Sequence, residues 1–432
     1  MFSHARQKQR FVTLHRYLGL TAALFLIITG ITGALLAYYH ELDEWLNPTL
    51  FFTPQTASQQ GDDYLPASQL YHAAQQYSAR YGGRISTVAL DFSPGKSLRY
   101  YVSDSEQFNR VFINPYTAEV MGSRTWGDLS QGIGNLPGFI YKLHYTLWLP
   151  DRWGVLLLGI IALLWTLDCF IAIATTLPVS KQPSLRQFFS RWQQSFKMRW
   201  HSRGFSFHFL LHRAAGLWLW ALLFIFAWSS VAFNLRDVYK PVTNTLFSAA
   251  PAAPVTGHQL PPMNIDQALN AARLARDAAI QQQAQQQPRQ QPEQPIHSGR
   301  ERSLRYITSA NTFQYRFHSS RDVDDDIARS VIYIDAHNGE LLASYWPSGQ
   351  YSATTVTQWL YALHMAEVFG WPYQLLVCLL GLMVAYFSYS GVLIWWHKRN
   401  TNRNTSRNTS RNNSHPKKHP NQYHNKHKEE VD

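Results

Sequence analysis

Two histidine patterns each occur twice in this chain, in the same order. A Leu-His-Arg triplet opens the first and third of four long apolar segments, and a Tyr-x-x-His sequence precedes the second and fourth. Imidazole is a common metal ligand, and ionisable groups at membrane depth are costly enough to be functional candidates. The sequence is therefore an internal duplication with one metal-competent histidine at the mouth of each segment. The four histidines are His15, His144, His212 and His364.

The four apolar segments are long enough to cross a bilayer. They cover about 17–39, 153–177, 209–235 and 371–396, and a span needs roughly 20 apolar residues. The first is too long for the apolar region of a signal peptide, and no small-residue cleavage site follows it. The sequence predicts a polytopic membrane protein, in contact with membrane lipid.

Basic residues predict the orientation of these spans. Lys and Arg are concentrated in the N-terminus, the loop 178–208 and the tail after Trp396. Short basic regions beside spans remain in the cytoplasm. Both termini are thus expected inside a bacterial inner membrane, with the long loops 41–142 and 236–369 in the periplasm. The net charge of +12 follows from this distribution and does not indicate a nucleic-acid partner.

The two long loops repeat each other. Helices are predicted over 66–81 and 264–280, each followed by a strand, 97–103 or 313–318, and then by a hairpin. Asn338-Gly339 in the second hairpin tolerates the positive φ of a tight turn. We expect a four-helix transmembrane bundle, all-α in the membrane, with two periplasmic α+β modules.

The predicted organisation has eight parts. The Gln-rich segment 281–299 is expected to be a flexible insertion, and Cys169 and Cys378 to be buried apolar residues rather than a disulfide pair. The parts are the N-terminal tail and first span 1–40, first module 41–142, interfacial helix and second span 143–177, cytoplasmic loop 178–208, third span 209–235, second module 236–360, interfacial helix and fourth span 361–397, and a disordered basic tail 398–432.

The hairpins carry a family resemblance. Ile113–Val120 and Ile334–Leu341 resemble the end of the PepSY domain, and their position between histidine-headed spans is similar to the PepSY-associated transmembrane family. That family includes iron-regulated inner-membrane proteins and ferric-siderophore reductases of the FoxB type. The resemblance covers about residues 8–398. Ala118 departs from the glycine that is usual at this turn, which puts the geometry of the first hairpin in question.

The resemblance implies two b-type haems with histidine as the axial iron ligand. Helices in a bundle can present two imidazoles to opposite faces of one haem. The duplication then pairs His144 with His364 on the outer side and His15 with His212 on the inner side. Arg16 and Arg213, each beside an inner histidine, could bind haem propionates, although anchoring to the cytoplasmic interface explains them equally well.

Other histidines compete for these roles. His40 lies 25 residues after His15, on the same face of a continuous helix and about 37 Å further along. It could replace one outer ligand or contact substrate. His397 is a comparable rival on the inner side. A single interfacial histidine more often hydrogen-bonds a lipid headgroup or a loop carbonyl than binds a metal.

The expected function is an oxidoreductase, a ferric-siderophore reductase that transfers electrons across the membrane. It would reduce the iron of a siderophore, of the hydroxamate type, to Fe(II) at the periplasmic face. No G-x-G-x-x-G follows a predicted strand, so the electrons would come from quinol or from a cytoplasmic reductase. The alternative is a non-enzymatic binding or sensory protein that regulates a peptidase or iron uptake. The acidic segment 322–326 is expected to be a solvated loop.

Overall fold

The computed structural model has a helical part and a sheet-containing part. It describes residues 2–54, 63–150, 152–179, 184–256, 260–286, 296–325 and 327–413. The helices are α1 (Phe2–Leu36), α2 (Tyr39–Leu46), α3 (Pro48–Phe51), α4 (Ala67–Ala79), α5 (Leu136–Thr146), α6 (Trp153–Thr176), α7 (Leu185–Trp192), α8 (Phe205–Trp218), α9 (Trp220–Asn234), α10 (Arg236–Leu246), α11 (Ile265–Gln286), α12 (Ser352–His364) and α13 (Gly370–Asn413). The strands are β1 (Thr87–Ala89), β2 (Leu98–Tyr101), β3 (Arg110–Ile113), β4 (Val120–Arg124), β5 (Ser298–Ile307), β6 (Thr312–Ser319), β7 (Ser330–Asp335) and β8 (Leu341–Tyr345).

The helical part is built from apolar helices of membrane-spanning length. Among the described residues, α1, α6 and α13 each contain such a segment, with mean hydropathy of 2.1, 2.5 and 2.0. The third predicted span is not one straight helix, because α8 and α9 meet at an angle of 72° on either side of Leu219. The pair reaches spanning length only together. The chain is therefore a membrane protein with several apolar helices.

Helices α1 and α13 cross at very close range. A Cβ atom built on Gly30 would lie 2.6 Å from the carbonyl oxygen of Gly381, and the converse distance is also 2.6 Å. Ala34 and Ala385 follow these glycines by one turn and complete the contact. Small residues four positions apart let helix backbones approach in a membrane, where burial of apolar surface gives little driving force.

The strands form two antiparallel sheets. One has the order β2-β3-β4, and the other has the order β1-β5-β6-β7-β8. Helix α4 packs on the first through Leu70 and Ala74, and α11 packs on the second through Ala268 and Ala272. Strand β1 belongs to the first long loop but pairs with β5 of the second, with Val88 opposite Leu304. The two predicted modules therefore share a sheet. The sequence did not predict this, because a strand of three residues is too short to give a recognisable pattern.

The two hairpin turns have the same geometry despite the Ala118 substitution. Ala118 has φ 61° and Gly339 has φ 75°. In each turn the N–H of this residue donates to the carbonyl of the residue four positions earlier, Asn114 or Asp335. Ala118 accepts the left-handed conformation, at some conformational cost, and the hairpin is retained.

Three helix ends differ from the prediction. Helix α1 ends at Leu36, so the continuous helix expected to reach His40 is wrong, and His40 lies on α2. Helix α11 continues through the start of the Gln-rich segment to Gln286, and the tail expected to be disordered continues α13 to Asn413. Extending a helix that has already formed costs less free energy than starting a new one. Polar residues that follow a stable helix can therefore remain helical, although their composition alone does not predict it. Residues 287–295 and 414–432 of these two segments lie outside the described residues.

Candidate functional site

His144 and His364 come together from helices that precede two apolar helices. Their ring centroids are 6.4 Å apart, with the ring planes at 66°. His144 Nδ1 lies 2.9 Å from the hydroxyl of Thr32 on α1, and His364 Nδ1 lies 2.7 Å from that of Ser229 on α9. Each imidazole thus has a side-chain hydroxyl partner at Nδ1.

His15 and His212 form a second pair at the other end of the helices. Their ring centroids are 6.2 Å apart, with the planes at 64°. His212 Nδ1 lies 2.9 Å from the hydroxyl of Ser390 on α13. His15 Nδ1 instead lies 2.9 Å from the carboxylate of Asp168 on α6. The structure therefore brings together the same pairs that the duplication predicted, His144 with His364 and His15 with His212.

The hydroxyl partners determine which imidazole nitrogen carries the proton. Each hydroxyl donates its own hydrogen to a carbonyl one turn earlier in its helix, that of Ile28, Phe226 or Phe387. It therefore accepts from histidine Nδ1–H. The carboxylate of Asp168 is also an acceptor. In all four histidines Nδ1 is occupied, and Nε2 is the nitrogen left with a lone pair for a ligand.

The spacing within each pair suits two axial ligands on one iron. Two metal–nitrogen bonds of about 2 Å, with roughly 1.1 Å from nitrogen to ring centre on each side, separate the centroids by about 6 Å. Among the described residues no group of three or more His, Cys, Asp or Glu is placed to hold a bare metal ion. A haem needs only one or two protein ligands, because the porphyrin supplies four nitrogens.

A cavity of about 510 Å³ adjoins the inner pair. This volume lies in the range of cofactor sites. Gly19 and Gly216, each one turn after an inner histidine, line the cavity, and a Cβ on either would find no atom within 4 Å. Trp165 also lines the cavity. The glycines thus leave open space beside the imidazoles, as a flat macrocycle requires.

Both predicted arginines line this cavity. Arg16 and Arg213 are joined there by Lys8 and Lys398. The Nε atom of Arg213 is buried and has no hydrogen-bond partner among the described residues. A buried donor without an acceptor is unfavourable, and a carboxylate in the cavity would satisfy it. The residues present therefore fit a haem, with Arg16 and Arg213 as residues that could bind its propionates.

The rival histidines lie elsewhere. His40 is exposed on α2 with its ring edge against Tyr39, 5.2 Å between centroids. His397 stacks on Phe205 at 4.4 Å. The acidic segment is mostly engaged in local contacts: Asp322 accepts from Ser319 and Ser330, and Asp324 pairs with Arg329. Asp326 lies outside the described residues.

Sequence reasoning missed the partners of the histidines. Asp168 is the only Asp, Glu, Lys, Arg or His in α6, and the cost of a charged group in an apolar segment could have indicated its role. Thr32 lies 17 residues after His15, and Ser229 lies 17 residues after His212. These two hydroxyl residues therefore occupy equivalent positions in the duplication, and an alignment of the two halves could have found them. Ser390 gave no comparable signal, because hydroxyl residues are ordinary in membrane helices.

The two pairs occupy opposite ends of one helical scaffold. His15 and Thr32 both lie on α1, and 17 residues of helix correspond to a rise of about 26 Å. Phe226 stacks on His364 at 4.8 Å, and Phe387 contacts His212 at 5.6 Å, so aromatic rings line both sites. Such an arrangement can hold two redox groups in sequence across a membrane.

One comparison with known proteins is informative. The family model described as the PepSY-associated TM region matches residues 12–398. This is nearly the whole chain apart from its two ends. No curated protein matches the chain.

Proposed function

The chain belongs to the PepSY-associated TM region family, and we propose that it is an inner-membrane dihaem electron-transfer protein that reduces ferric siderophore iron at the periplasmic face. The observation that carries this proposal is the pair of neighbouring imidazoles at each end of the helical scaffold, with ring centroids 6.4 Å and 6.2 Å apart. Each imidazole has a hydrogen-bond acceptor at Nδ1. These two features support bis-histidine haem ligation.

The shared sheet supports four crossings of the membrane. Because β1 and β5 are hydrogen-bonded, the two long loops would lie on the same side of the membrane. An even number of crossings would then separate them. With α6 as one crossing, the bent pair α8 and α9 would be the second. The cavity at the inner pair is lined by Lys8, Arg16, Arg213 and Lys398, which supports a cytoplasmic location for that end.

The protein residues would bind and orient the two cofactors. Haem b, when bound, supplies one-electron oxidation and reduction. His144 with His364, and His15 with His212, would bind the two haem irons, and Arg16 and Arg213 would supply donors for propionate oxygens. Electrons would enter from quinol or a cytoplasmic reductase. The ferric iron of the chelate accepts one electron, and the resulting Fe(II) is held less tightly by hard oxygen ligands.

Cofactor content tests the ligand assignment. We expect purified protein to contain two non-covalent haems per chain, both extractable with acidified acetone. His144→Ala or His364→Ala should remove one haem and leave the other, because loss of one axial ligand opens that site. His40→Ala is the matched control and should retain both. Full haem content with an unchanged spectrum in both variants would show that these histidines are not ligands.

Reoxidation tests the reaction. Protein reduced with dithionite and mixed anaerobically with a ferric siderophore and an Fe(II) chelator should reoxidise as the Fe(II) complex appears. His15→Ala and His212→Ala should spare this chemically driven reaction but block electron supply from membranes. A protein that holds two haems and is not reoxidised by any ferric chelate would instead favour a non-enzymatic binding or sensory role.

A further inference from the structure

The sheet faces that point away from α4 and α11 carry arginines. Side chains alternate along a strand, and the neighbours of these arginines, such as Tyr100, Leu304 and Tyr315, are buried on the helix-covered faces. Six residues define what we call the arginine cluster. They are Arg99 on β2, Arg110 on β3, Arg302 and Arg305 on β5, Arg316 on β6, and Arg329 just before β7.

The cluster is continuous across the junction of the two sheets. The guanidinium groups of Arg99 and Arg110 lie 5.5 and 5.3 Å from the ring of Tyr101. Burial alone would raise the pKa of Tyr101, but Arg99, Arg110 and Arg302 lower it below its ordinary value. The second sheet thus contributes positive charge to a residue of the first.

Arg316 experiences the same accumulation of charge. Burial among surrounding side chains, together with the guanidinium groups of Arg329, Arg305 and Arg302, lowers its pKa. The side chain is exposed to solvent, so a ligand can reach it.

Four of the six arginines have no carboxylate partner among the described residues. Arg302 pairs with Asp91, and Arg329 pairs with Asp324 and with Glu367. Arg99, Arg110, Arg305 and Arg316 form no ion pair with a carboxylate in the parts of the chain that the structure describes. Like charges brought together repel each other, so the cluster raises the energy of the free protein and favours binding of an anion.

The cluster reaches both helices that carry the outer histidines. The Arg329 guanidinium lies 5.9 Å from the ring of Tyr361, which precedes His364 by one turn. On the other side Arg110 lies 4.4 Å from the ring of Trp126, and Trp126 contacts Tyr141, which precedes His144 by one turn. The duplicated Tyr-x-x-His sequence therefore places an aromatic ring between the arginines and each outer histidine.

We propose that the arginine cluster is the substrate-docking site, and that the substrate is a ferric chelate with net negative charge on carboxylate or similar anionic oxygens. This inference rests on the proposed function. Guanidinium groups bind such oxygens through paired, charge-assisted hydrogen bonds. Neutral or cationic chelates would be disfavoured. A hydroxamate siderophore would bind here only if it carries additional anionic groups. The expected substrates are therefore a subset of the hydroxamate siderophores predicted from the sequence, together with other anionic ferric chelates.

Calorimetric titration of the oxidised, full-length protein in lipid-free detergent tests the inference without any electron transfer. The probes are ferric citrate, which is anionic, and ferric tris(acetohydroxamate), which is neutral. Ferric citrate should bind more tightly, and added salt should weaken its binding. Arg110→Gln and Arg316→Gln should each raise its Kd roughly tenfold, the loss of one charge-assisted hydrogen bond. Arg80→Gln, an exposed position at the end of α4, is the matched control and should leave the Kd unchanged.

The outcomes separate this inference from the proposed function. Equal affinity for the two probes, or an unchanged Kd in Arg110→Gln, Arg305→Gln and Arg316→Gln, would overturn the anionic-substrate inference even if the protein reduces neutral chelates. Arginine-dependent citrate binding by a protein that never reduces iron would support the anion site and contradict the reductase. Lipid phosphate offers related chemistry, so phosphatidylglycerol vesicles are the third probe. Arginine-dependent binding of vesicles without binding of ferric citrate would overturn the chelate assignment.

Discussion

The four candidate ligand histidines differ in what holds their Nδ1 atoms. Three are held by hydroxyl groups that are neutral, whereas His15 faces the carboxylate of Asp168 at 2.9 Å. A carboxylate behind a ligating imidazole raises the basicity of the ligand and stabilises the higher oxidation state of the metal. The inner site is therefore expected to have the more electron-rich ligand set, which favours electron transfer from the inner to the outer site.

Asp168→Asn tests this asymmetry. The amide oxygen can still accept from His15 Nδ1–H, so the imidazole stays in place while the negative charge is lost. Loss of about 1–2 kcal/mol of stabilisation of the ferric state corresponds to a rise of roughly 40–90 mV in the midpoint potential of one haem. Spectroelectrochemical titration should show two haems, only one of them shifted. Ser390→Ala is the neutral control and should shift the potentials less; identical titration curves for wild type and Asp168→Asn would contradict the role of the carboxylate.

Glu301 contributes to the stability of the second sheet in a way that depends on pH. Burial alone would raise its pKa, but hydrogen bonds from Arg273 at 2.6 Å and from Tyr315 at 2.6 Å lower it below the ordinary value. A lowered carboxyl pKa stabilises the fold above the unfolded pKa of about 4.3, and this stabilisation is lost as the pH falls through the folded-state value.

Glu301→Gln should therefore destabilise the sheet at pH 7 and have much less effect near pH 3. We expect a loss of about 1–3 kcal/mol at pH 7. Hydrogen exchange of β5 and β6 in the full-length protein measures this, because it reports on local opening. Glu340→Gln, at an exposed hairpin position, is the control. An equal loss at both pH values would show that packing rather than charge is responsible.

At the scale of elements, the crossing of α1 and α13 joins the two halves of the duplication. Helix α1 carries His15 and the Thr32 acceptor, and α13 carries the Ser390 acceptor. Their contact at Gly30 and Gly381 is made by backbone atoms rather than by side chains. The separation of His15 and His212 therefore depends on how closely these two helices approach, because α1 carries His15 and α13 carries the acceptor of His212.

Gly30→Leu should force α1 and α13 apart. Its Cβ would meet the Gly381 carbonyl oxygen at 2.6 Å, and backbone cannot move aside as a flexible side chain can. Overpacking of this kind costs about 1–3 kcal/mol. Thermal unfolding in detergent should begin at lower temperature, and haem content should fall. Leu24→Ala, on a residue of α1 that is 64% exposed, should change neither property; unchanged stability in Gly30→Leu would contradict the close crossing.

Local patterns predicted the elements better than their ends. The duplicated histidines led directly to the two spatial pairs, because a repeat in sequence implies a repeat in fold. The bend at Leu219 was not predicted, because no proline lies near it and Gly216, three residues earlier, has a counterpart in Gly19 of the unbroken helix α1. The pairing of β1 with β5 is a long-range contact, and periodicity reports only on local structure. Asp168 was detectable in principle and was overlooked.

At the scale of the whole molecule, the shared sheet leads to a testable prediction of the membrane topology. Ser309 lies in the turn between β5 and β6, and Gln187 lies in α7, between α6 and α8. A reporter fused after Ser309 should be periplasmic, and one fused after Gln187 should be cytoplasmic, because the basic loop stays inside. Paired fusions to alkaline phosphatase and a fluorescent protein measure this. A cytoplasmic signal from the fusion after Ser309 would contradict the prediction of four membrane crossings.

The pairing of β1 in the first loop with β5 in the second loop also affects folding during synthesis. Val88 is synthesised roughly 200 residues before its partner Leu304, which at 5–20 residues per second is a delay of about 10–40 s. During that interval β1 has no β5 beside it, and an unpaired strand edge invites association with other chains. The nascent first loop therefore needs protection until the bent α8–α9 pair has been inserted, and chains that stop before β5 should be prone to aggregation or proteolysis.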